Sequence, residues 1–454
     1  MATEKIIEQL TPLDLTSGGG YIPVIYTFKT VEPAPTVLQT LQHGLNKLVT
    51  QLPWLSGHVV PTTSDGKRRL QIEFDLNAPA PAIIDKGTIE ASYAALAAQG
   101  MPADAIPTSV CPLPFPFIPD FMVLSDRAET VMAASIFRFA DGEGAGLCVF
   151  LHHRTVDARG VCEVMRLWAE HTTSAEPAFT AQSRPRQTQL AKALAVDLAT
   201  LESIPLDGLF ALRPEFSRVP LPLPMPKELP PCTSKVFSIP IARVEEIKKQ
   251  LDVKSPTTNT IISALLWSAV TRARAQRDHS IAGKQSRLVS VVNGRSRISE
   301  TLSTRDTPYF GNLVFPAVTN LPAKSLGIGP ADTELAKICA AISEAHSPAR
   351  INPRYMAEVY ALAERVDDYR SLHAGPFDLT ITSWADLDIH QIDFGPGLGM
   401  PTFTRVPYMK ADGVAIMLPR RRGAVGEMVE VLVMLRRDDM AVLEGDGAWK
   451  GLIL

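Results

Sequence analysis

"LCVFLHHRTVDARGVCEVMRLW", residues 147–168, holds the turn from which the rest of the chain can be read. Leu147, Val149 and Leu151 alternate with Cys148, Phe150 and His152, the period of a strand, over a length that suits a buried one. If the alternation runs to its end, His152 and His153 point to opposite faces, so only one of them can serve a given pocket. Past Gly160, Val161, Val164, Met165 and Trp168 recur at i, i+3, i+4 and i+7, which is one face of a helix. The unit reads strand, turn, amphipathic helix, with His153 and Asp157 in the turn. The unperturbed pKa of imidazole, about 6.5, lies nearest neutrality, so a histidine fixed on such a turn suits general-base work. The plainer alternative is a hydrogen-bonded structural histidine at a strand end, and this stretch alone leaves both open.

Composition narrows the classes of function. The 454 residues are 46% hydrophobic and 20% charged, the balance of a soluble globular chain long enough for two to three domains. A formal net charge of −3 leaves no basic stripe for nucleic acid. The densest cationic run, "PRRRG" at 419–423, lies between two alternating apolar segments and reads as a hairpin turn. Cys111, Cys148, Cys162, Cys232 and Cys339 are widely spaced with no CxxC pair, which suggests neither a disulfide framework nor a zinc site and fits the reducing cytosol. No metal is expected at His152, His153 and Asp157, because adjacent strand residues diverge. The first residues lack a charged-then-apolar signal pattern, and no stretch approaches about 18 uninterrupted apolar residues, so no membrane segment is expected.

Apolar periodicity predicts a helix over 35–51, ended by Pro53, and strands over 130–139 and 146–153 joined by the turn "ADGEGAG". Between about 175 and 235 the pattern loosens. There "RVPLPLPMPKELPPC" (218–232) places proline at 220, 222, 224, 226, 230 and 231, which neither a helix nor a central strand accepts. The expected organisation is an N-terminal domain over 1–180, a proline-rich crossover over 181–235 and a C-terminal domain over 236–454. In "KSPTTNTIISALLWSAVTRAR" (254–274), Ser255 can cap, Pro256 suits the first helical position, and Ile261, Ile262, Leu265, Leu266, Ala269 and Val270 form one apolar face. Residues 413–443 read as strand, turn, strand, then a short helix from near Asp438. No GxSxG elbow, P-loop or HExxH occurs, and the glycine clusters "GEGAG" (142–146) and "GPGLG" (395–399) read as turns, since neither opens a helix.

Several further stretches fit together with that turn. "HRTVDARG" (153–160) resembles the HxxxDG signature of the BAHD acyltransferases, and "VVNGRSRI" (291–298), "PYFGNLVFP" (308–316) and "ITSWADLDIHQIDFGPGLGMP" (381–401) resemble three other blocks of that family in the family's order. The helix "SALLWSAVTRAR" (263–274) and the opening "TPLDLT" (11–16) are similar too, and the alanine- and proline-rich tone is most like the fungal branch acting on secondary metabolites.

The resemblance implies an α/β fold of mixed sheets, with two chloramphenicol-acetyltransferase-like domains and an active-site tunnel between them. It implies a monomeric cytoplasmic enzyme that holds no permanent cofactor and uses acyl-CoA as co-substrate with a small-molecule acceptor, without nucleic acid, membrane or metal. His153 would be the base for an acceptor hydroxyl or amine. Thr382 and Trp384 would face the developing oxyanion. Asp157 would pair with Arg295 or Arg297 and so hold the turn, and Asp393 of "DFGPG" would be structural. Lys254 and Ser255, at the start of the long helix, are candidate contacts for the phosphates of coenzyme A. The loop "CPLPFPFIPDF" (111–121) is a candidate lining for the acceptor's mouth. Two departures stand out: Ala158 where the family has glycine, which puts the aim of His153 in question, and Pro396 where it has tryptophan. Two alternatives are amide or ester formation on a carrier-bound acyl group, as in condensation domains whose HHxxxDG "HHRTVDA" also resembles, and a scaffold reused without acyl transfer.

Overall fold

The computed structural model describes residues 5–115, 127–173, 186–219, 230–251, 256–327, 332–424 and 426–453. Strands and helices alternate along the chain, and the described strands form four sheets.

The five-stranded sheet is centred on Gly144–His152, all nine residues of which are buried. Its neighbours are Tyr21–Lys29 and Met132–Phe139, both antiparallel to it. The alternation read from sequence is the division between two cores. Leu147, Val149 and Leu151 pack with Leu41, Leu45 and Leu48 of the helix Ala34–Gln51 and with Val161, Val164 and Trp168 of the helix Ala158–Thr172. Cys148 and Phe150 face the other way, among Tyr93, Phe137 and Phe139. Covering both faces makes the strand apolar at nearly every position, which blurs the alternation a one-sided strand displays.

The six-stranded sheet runs, edge to edge, through Cys232–Pro240, Met428–Arg436, Val414–Met417, Leu379–Ser383, Gln285–Asn293 and Val314–Pro322. Leu379–Ser383 is parallel to both its neighbours and the other pairs are antiparallel. The helix Thr258–Arg277 lies against one face. Ile261, Ile262, Ala264, Leu266 and Trp267 are all fully buried, so it is apolar nearly all round, as a helix enclosed by its neighbours must be. The expected cap moves: Thr257, not Ser255, accepts the N–H of Thr260, at 3.1 Å, and Pro256 precedes the cap, where its fixed φ suits an extended entry. "PRRRG" lies in the connection between the antiparallel strands Val414–Met417 and Met428–Arg436, where Arg420 pairs with Glu427.

The stretch expected to be a proline-rich crossover contains more than that. Residues 186–218 form the helices Arg186–Ala199 and Leu206–Leu212 and the strand Phe216–Arg218, and Leu190, Leu194 and Leu209 pack against Met356 and Leu362 of the helix Pro353–Arg365. The proline alternation at 220–229 lies outside the described residues. The strand Phe403–Arg405 leaves the second half of the chain and pairs with Tyr21–Lys29, forming one edge of the first sheet.

Candidate active site

The turn after Gly144–His152 is tied down at almost every residue. The N–H of His153 donates to the Gly20 carbonyl at 2.8 Å, and its own carbonyl accepts from Asn312 Nδ2 at 2.8 Å. Arg154 donates to the Leu15 carbonyl at 2.5 Å and stacks over the Tyr369 ring. Arg186 donates to the Thr155 carbonyl at 2.6 Å. Arg154, Thr155, Val156 and Asp157 are at most 6% exposed, whereas His153 is half-buried and so is the side chain of the turn with access to a ligand.

Asp157 ends the turn and caps the next helix, its Oδ1 accepting the N–H of Gly160 at 3.0 Å. The pairing that the sequence left between two arginines falls to Arg295. Its Nη1 donates to Asp157 Oδ2 at 2.9 Å and its Nη2 to Oδ1 at 3.0 Å, while the same guanidinium reaches the carbonyls of Tyr309 and Gly311. The N–H of Leu313 adds a third donor to Oδ2 at 3.0 Å. Both residues are nearly inaccessible, at 1% and 3%, and a two-pronged contact in such a place fixes geometry as well as charge. Arg297 points elsewhere, to the carbonyls of Ile351 and His346.

The two histidines have separate environments. His152 Nε2 lies 2.7 Å from Glu129 Oε2, its Nδ1 accepts the Arg154 N–H at 3.2 Å, and its ring meets Tyr21 edge-on at 5.3 Å. A ring whose Nδ1 accepts carries its proton on Nε2, toward the glutamate. His153 Nδ1 is buried and hydrogen-bonds no other described residue. Burial lowers the pKa of His153 below its ordinary value; its own carbonyl and the Asp157 charge oppose that shift, and the Arg154 charge adds to it. A ring kept neutral at pH 7 can accept a proton.

Ala158 turns out not to need glycine's freedom, because it is the first residue of an ordinary helix and carries no positive φ. The position that requires glycine is Gly160, for space and not for conformation: a Cβ there would come within 2.3 Å of the Phe310 carbonyl oxygen. Thr382 lies on the strand Leu379–Ser383, on the face opposite Leu379 and Ile381, which enter the second core. Trp384 is 7% exposed in the first core, with Val156, Val161 and Phe310, and its backbone N–H donates to Met417. No described residue accepts the Thr382 hydroxyl or the Trp384 indole N–H.

Lys254 and Ser255 lie outside the described residues. The neighbouring helix start meets the Thr382 strand through Asn259, whose Nδ2 donates to Ser383 Oγ at 3.0 Å. Asp393 is exposed and accepts the N–H of Gly395 at 2.9 Å, which folds a loop with positive φ at Gly395, Gly397 and Gly399. The residue that anchors this loop is Phe394, packed edge-on against Phe28 and Trp168; Pro396 is exposed, so the missing tryptophan leaves no hole. Of the loop 111–121, residues 116–121 lie outside the described residues. A cavity of about 660 Å³ opens between Gln99–Asp104 and the strands Cys232–Pro240 and Met428–Arg436, but none of its lining residues belongs to the turn or to the Thr382 strand. Among the described residues no three His, Cys, Asp or Glu side chains group as metal ligands, and no helix is long and apolar enough to cross a membrane.

Sequence reading passed over Asp14, Arg186, Gly160 and Asn312 as members of this site. Asp14 and Asn312 stood within quoted blocks, but nothing local tells that a buried polar side chain has a partner far along the chain.

Comparison with known proteins shows what the chain as a whole is similar to. Residues 114–448 match the Transferase family, and residues 21–171 match the Trichothecene 3-O-acetyltransferase-like N-terminal domain. The chain is 25% identical to O-acetyltransferase ptmV of Penicillium ochrochloron, over 97% of this chain and 95% of that one. It is 24% identical to trichothecene 8-O-acetyltransferase of Fusarium sporotrichioides, over 96% of each. Among solved structures, F. graminearum TRI101 complexed with ethyl coenzyme A superposes with a TM-score of 0.80 at 18% identity, covering 99% of both chains, which establishes the fold.

Proposed function

The chain belongs to the Transferase family, and on that premise we propose that it moves an acyl group from an acyl-CoA thioester, acetyl or another short acyl, to a hydroxyl or amine of a secondary metabolite. The observation that carries this reading is the half-buried, neutral His153 held on a turn whose other residues are all buried. Neighbouring proteins point the same way: the relatives' names describe O-acetyltransferases, and one TRI101 structure contains coenzyme A with T-2 mycotoxin.

In this mechanism Nε2 of His153, the ring nitrogen other than the buried Nδ1, takes the acceptor's proton as the acceptor oxygen or nitrogen bonds to the thioester carbonyl carbon. The carbonyl electrons move onto oxygen, where the Thr382 hydroxyl and the Trp384 N–H, neither claimed by a described residue, are the donors we assign. When the carbonyl reforms, the carbon–sulfur bond breaks and the thiolate leaves. A thiol of pKa about 8.5 is a good leaving group, so the imidazolium then only has to return its proton to sulfur. Asp157 touches none of the reacting atoms; pinned by Arg295, it fixes the turn.

No covalent acyl-enzyme is needed. Cys162, on the helix that follows the turn, is 4% exposed, and burial pushes its pKa up to about 12, the opposite of an activated nucleophile.

The test is free thiol released from acetyl-CoA by the purified chain in the presence of terpenoid alcohols and amines, with mass analysis of the acceptor. Acceptor-dependent thiol release with a product one acetyl group heavier is the expected result. An acyl group accepted only from a carrier-protein thioester would support the condensation-type alternative, and no transfer from either donor would support a scaffold reused without acyl transfer.

A further inference from the structure

Two buried residues that the base mechanism leaves unused, Asp14 and Asn312, converge on the backbone of His153. Asn312 is 1% exposed, and its Nδ2 donates both to the His153 carbonyl at 2.8 Å and to Asp14 Oδ1 at 2.9 Å. The backbone N–H of Asn312 donates to the same Asp14 oxygen at 2.7 Å. The second carboxylate oxygen accepts from the Thr11 N–H at 2.9 Å and the Thr11 hydroxyl at 2.7 Å. Asp14 is fully buried, which raises its pKa, while the Arg186 charge and these donors favour the ionised form.

Two consecutive residues therefore fasten both ends of the His-x-x-x-Asp turn: Asn312 holds His153 and Leu313 holds Asp157. The His153 backbone is thus held on both sides, by the Gly20 carbonyl at its N–H and by Asn312 at its carbonyl, and the ring departs from that fixed backbone. Only a side chain with two donor hydrogens on one atom can serve Asp14 and His153 together, which an amide does and a carboxylate cannot.

We infer that Asp14 and Asn312 are positioning residues for the proton transfer: the Asp14 carboxylate fixes the Asn312 amide, and the amide fixes the carbonyl of His153 and with it the ring. The inference rests on His153 being the base.

The exchange variant D14N/N312D separates positioning from stability. Alone, N312D sets two buried carboxylates against each other and should lower the melting temperature. In the exchange variant the amide introduced at position 14 can donate to the carboxylate introduced at position 312, so part of that loss should return, although the amide NH2 gives up one of the two oxygens that accept backbone N–H groups, and a carboxylate oxygen now faces the His153 carbonyl. We expect the exchange variant to keep the KM for acetyl-CoA and to lose up to about 100-fold in kcat, the scale of a misaimed catalytic group. The rate is read as thiol release from acetyl-CoA, with water as acceptor where no metabolite has been identified.

Should the exchange variant not fold, N312S decides, because its shorter side chain cannot span both acceptors; unchanged kcat in either folded variant overturns the inference. H153A is the control. If H153A is as active as the parent, the base mechanism fails and this inference with it, whereas an inactive H153A beside a fully active exchange variant removes the positioning role alone.

Discussion

Arg295 holds Asp157 through both of its terminal nitrogens, at 2.9 and 3.0 Å, across 138 residues of sequence. Removing one partner leaves the other's charge buried, which costs about 3–5 kcal/mol. Arg295→Ala and Asp157→Asn should each lower the melting temperature sharply, and a double-mutant cycle should give a large coupling energy. Arg297→Ala should be additive with Asp157→Asn, since Arg297 donates instead to the Ile351 and His346 carbonyls. Coupling through Arg297 instead would contradict the observed pairing.

His153→Ala should fold normally by circular dichroism and lose about 10²–10⁴ in rate, the usual contribution of a general base. His152→Ala should act chiefly on stability, because its ring is engaged with Glu129 and the Arg154 N–H. A dead His152→Ala beside an active His153→Ala reverses the assignment.

The pH profile follows from the burial of His153, which lowers its pKa. The acid limb of kcat/KM should fall below the ordinary histidine value of about 6.5. Stability runs the same way. As pH falls through about 6.5 the unfolded chain binds a proton that the folded chain does not, so this residue removes stability until its folded pKa is passed and costs nothing at higher pH. Titrating the ring by NMR in the folded protein checks the direction, and a value above 6.5 would falsify it.

At the helix start, Gly160→Ala should be strongly destabilising, because the added Cβ meets the Phe310 carbonyl oxygen at 2.3 Å and a backbone atom cannot swing aside. Ala158→Gly, which restores the family's residue, should cost no more than about 1 kcal/mol. Thermal melts of the two variants test the contrast. Equal melting temperatures would mean that the 309–311 segment yields.

Initial-rate plots should intersect, as expected when donor and acceptor are bound together. Acetyl-CoA supplied alone should leave the intact mass unchanged. Parallel lines with a mass increase of one acetyl group would point to a nucleophile on the chain, against the raised pKa of Cys162.

How far the sequence could be read depended on range. The Gly144–His152 strand, its turn and the following helix were legible because their signals are periodic and local. The role of Asp157 came from resemblance, and the residues by themselves left Arg295 and Arg297 equal. Asp14 and Asn312 lie 298 positions apart, and no pattern in either neighbourhood announces the other. The helix Arg186–Ala199 escaped notice because its apolar face is thin: Leu190 and Leu194 are buried, but Val196 stands 82% exposed on the other side. The cap of the long helix shifted from Ser255 to Thr257 because several hydroxyls compete there and backbone direction, not composition, chooses among them.

The strand Phe403–Arg405, paired to Tyr21–Lys29, sets the order in which the molecule can be built during translation. Until residue 405 has emerged from the ribosome, the Tyr21–Lys29 edge waits with unpaired backbone groups, the kind of edge on which nascent chains associate with one another. Expressed as two separate fragments cut in the 219–230 region, the halves should therefore aggregate singly and recover together.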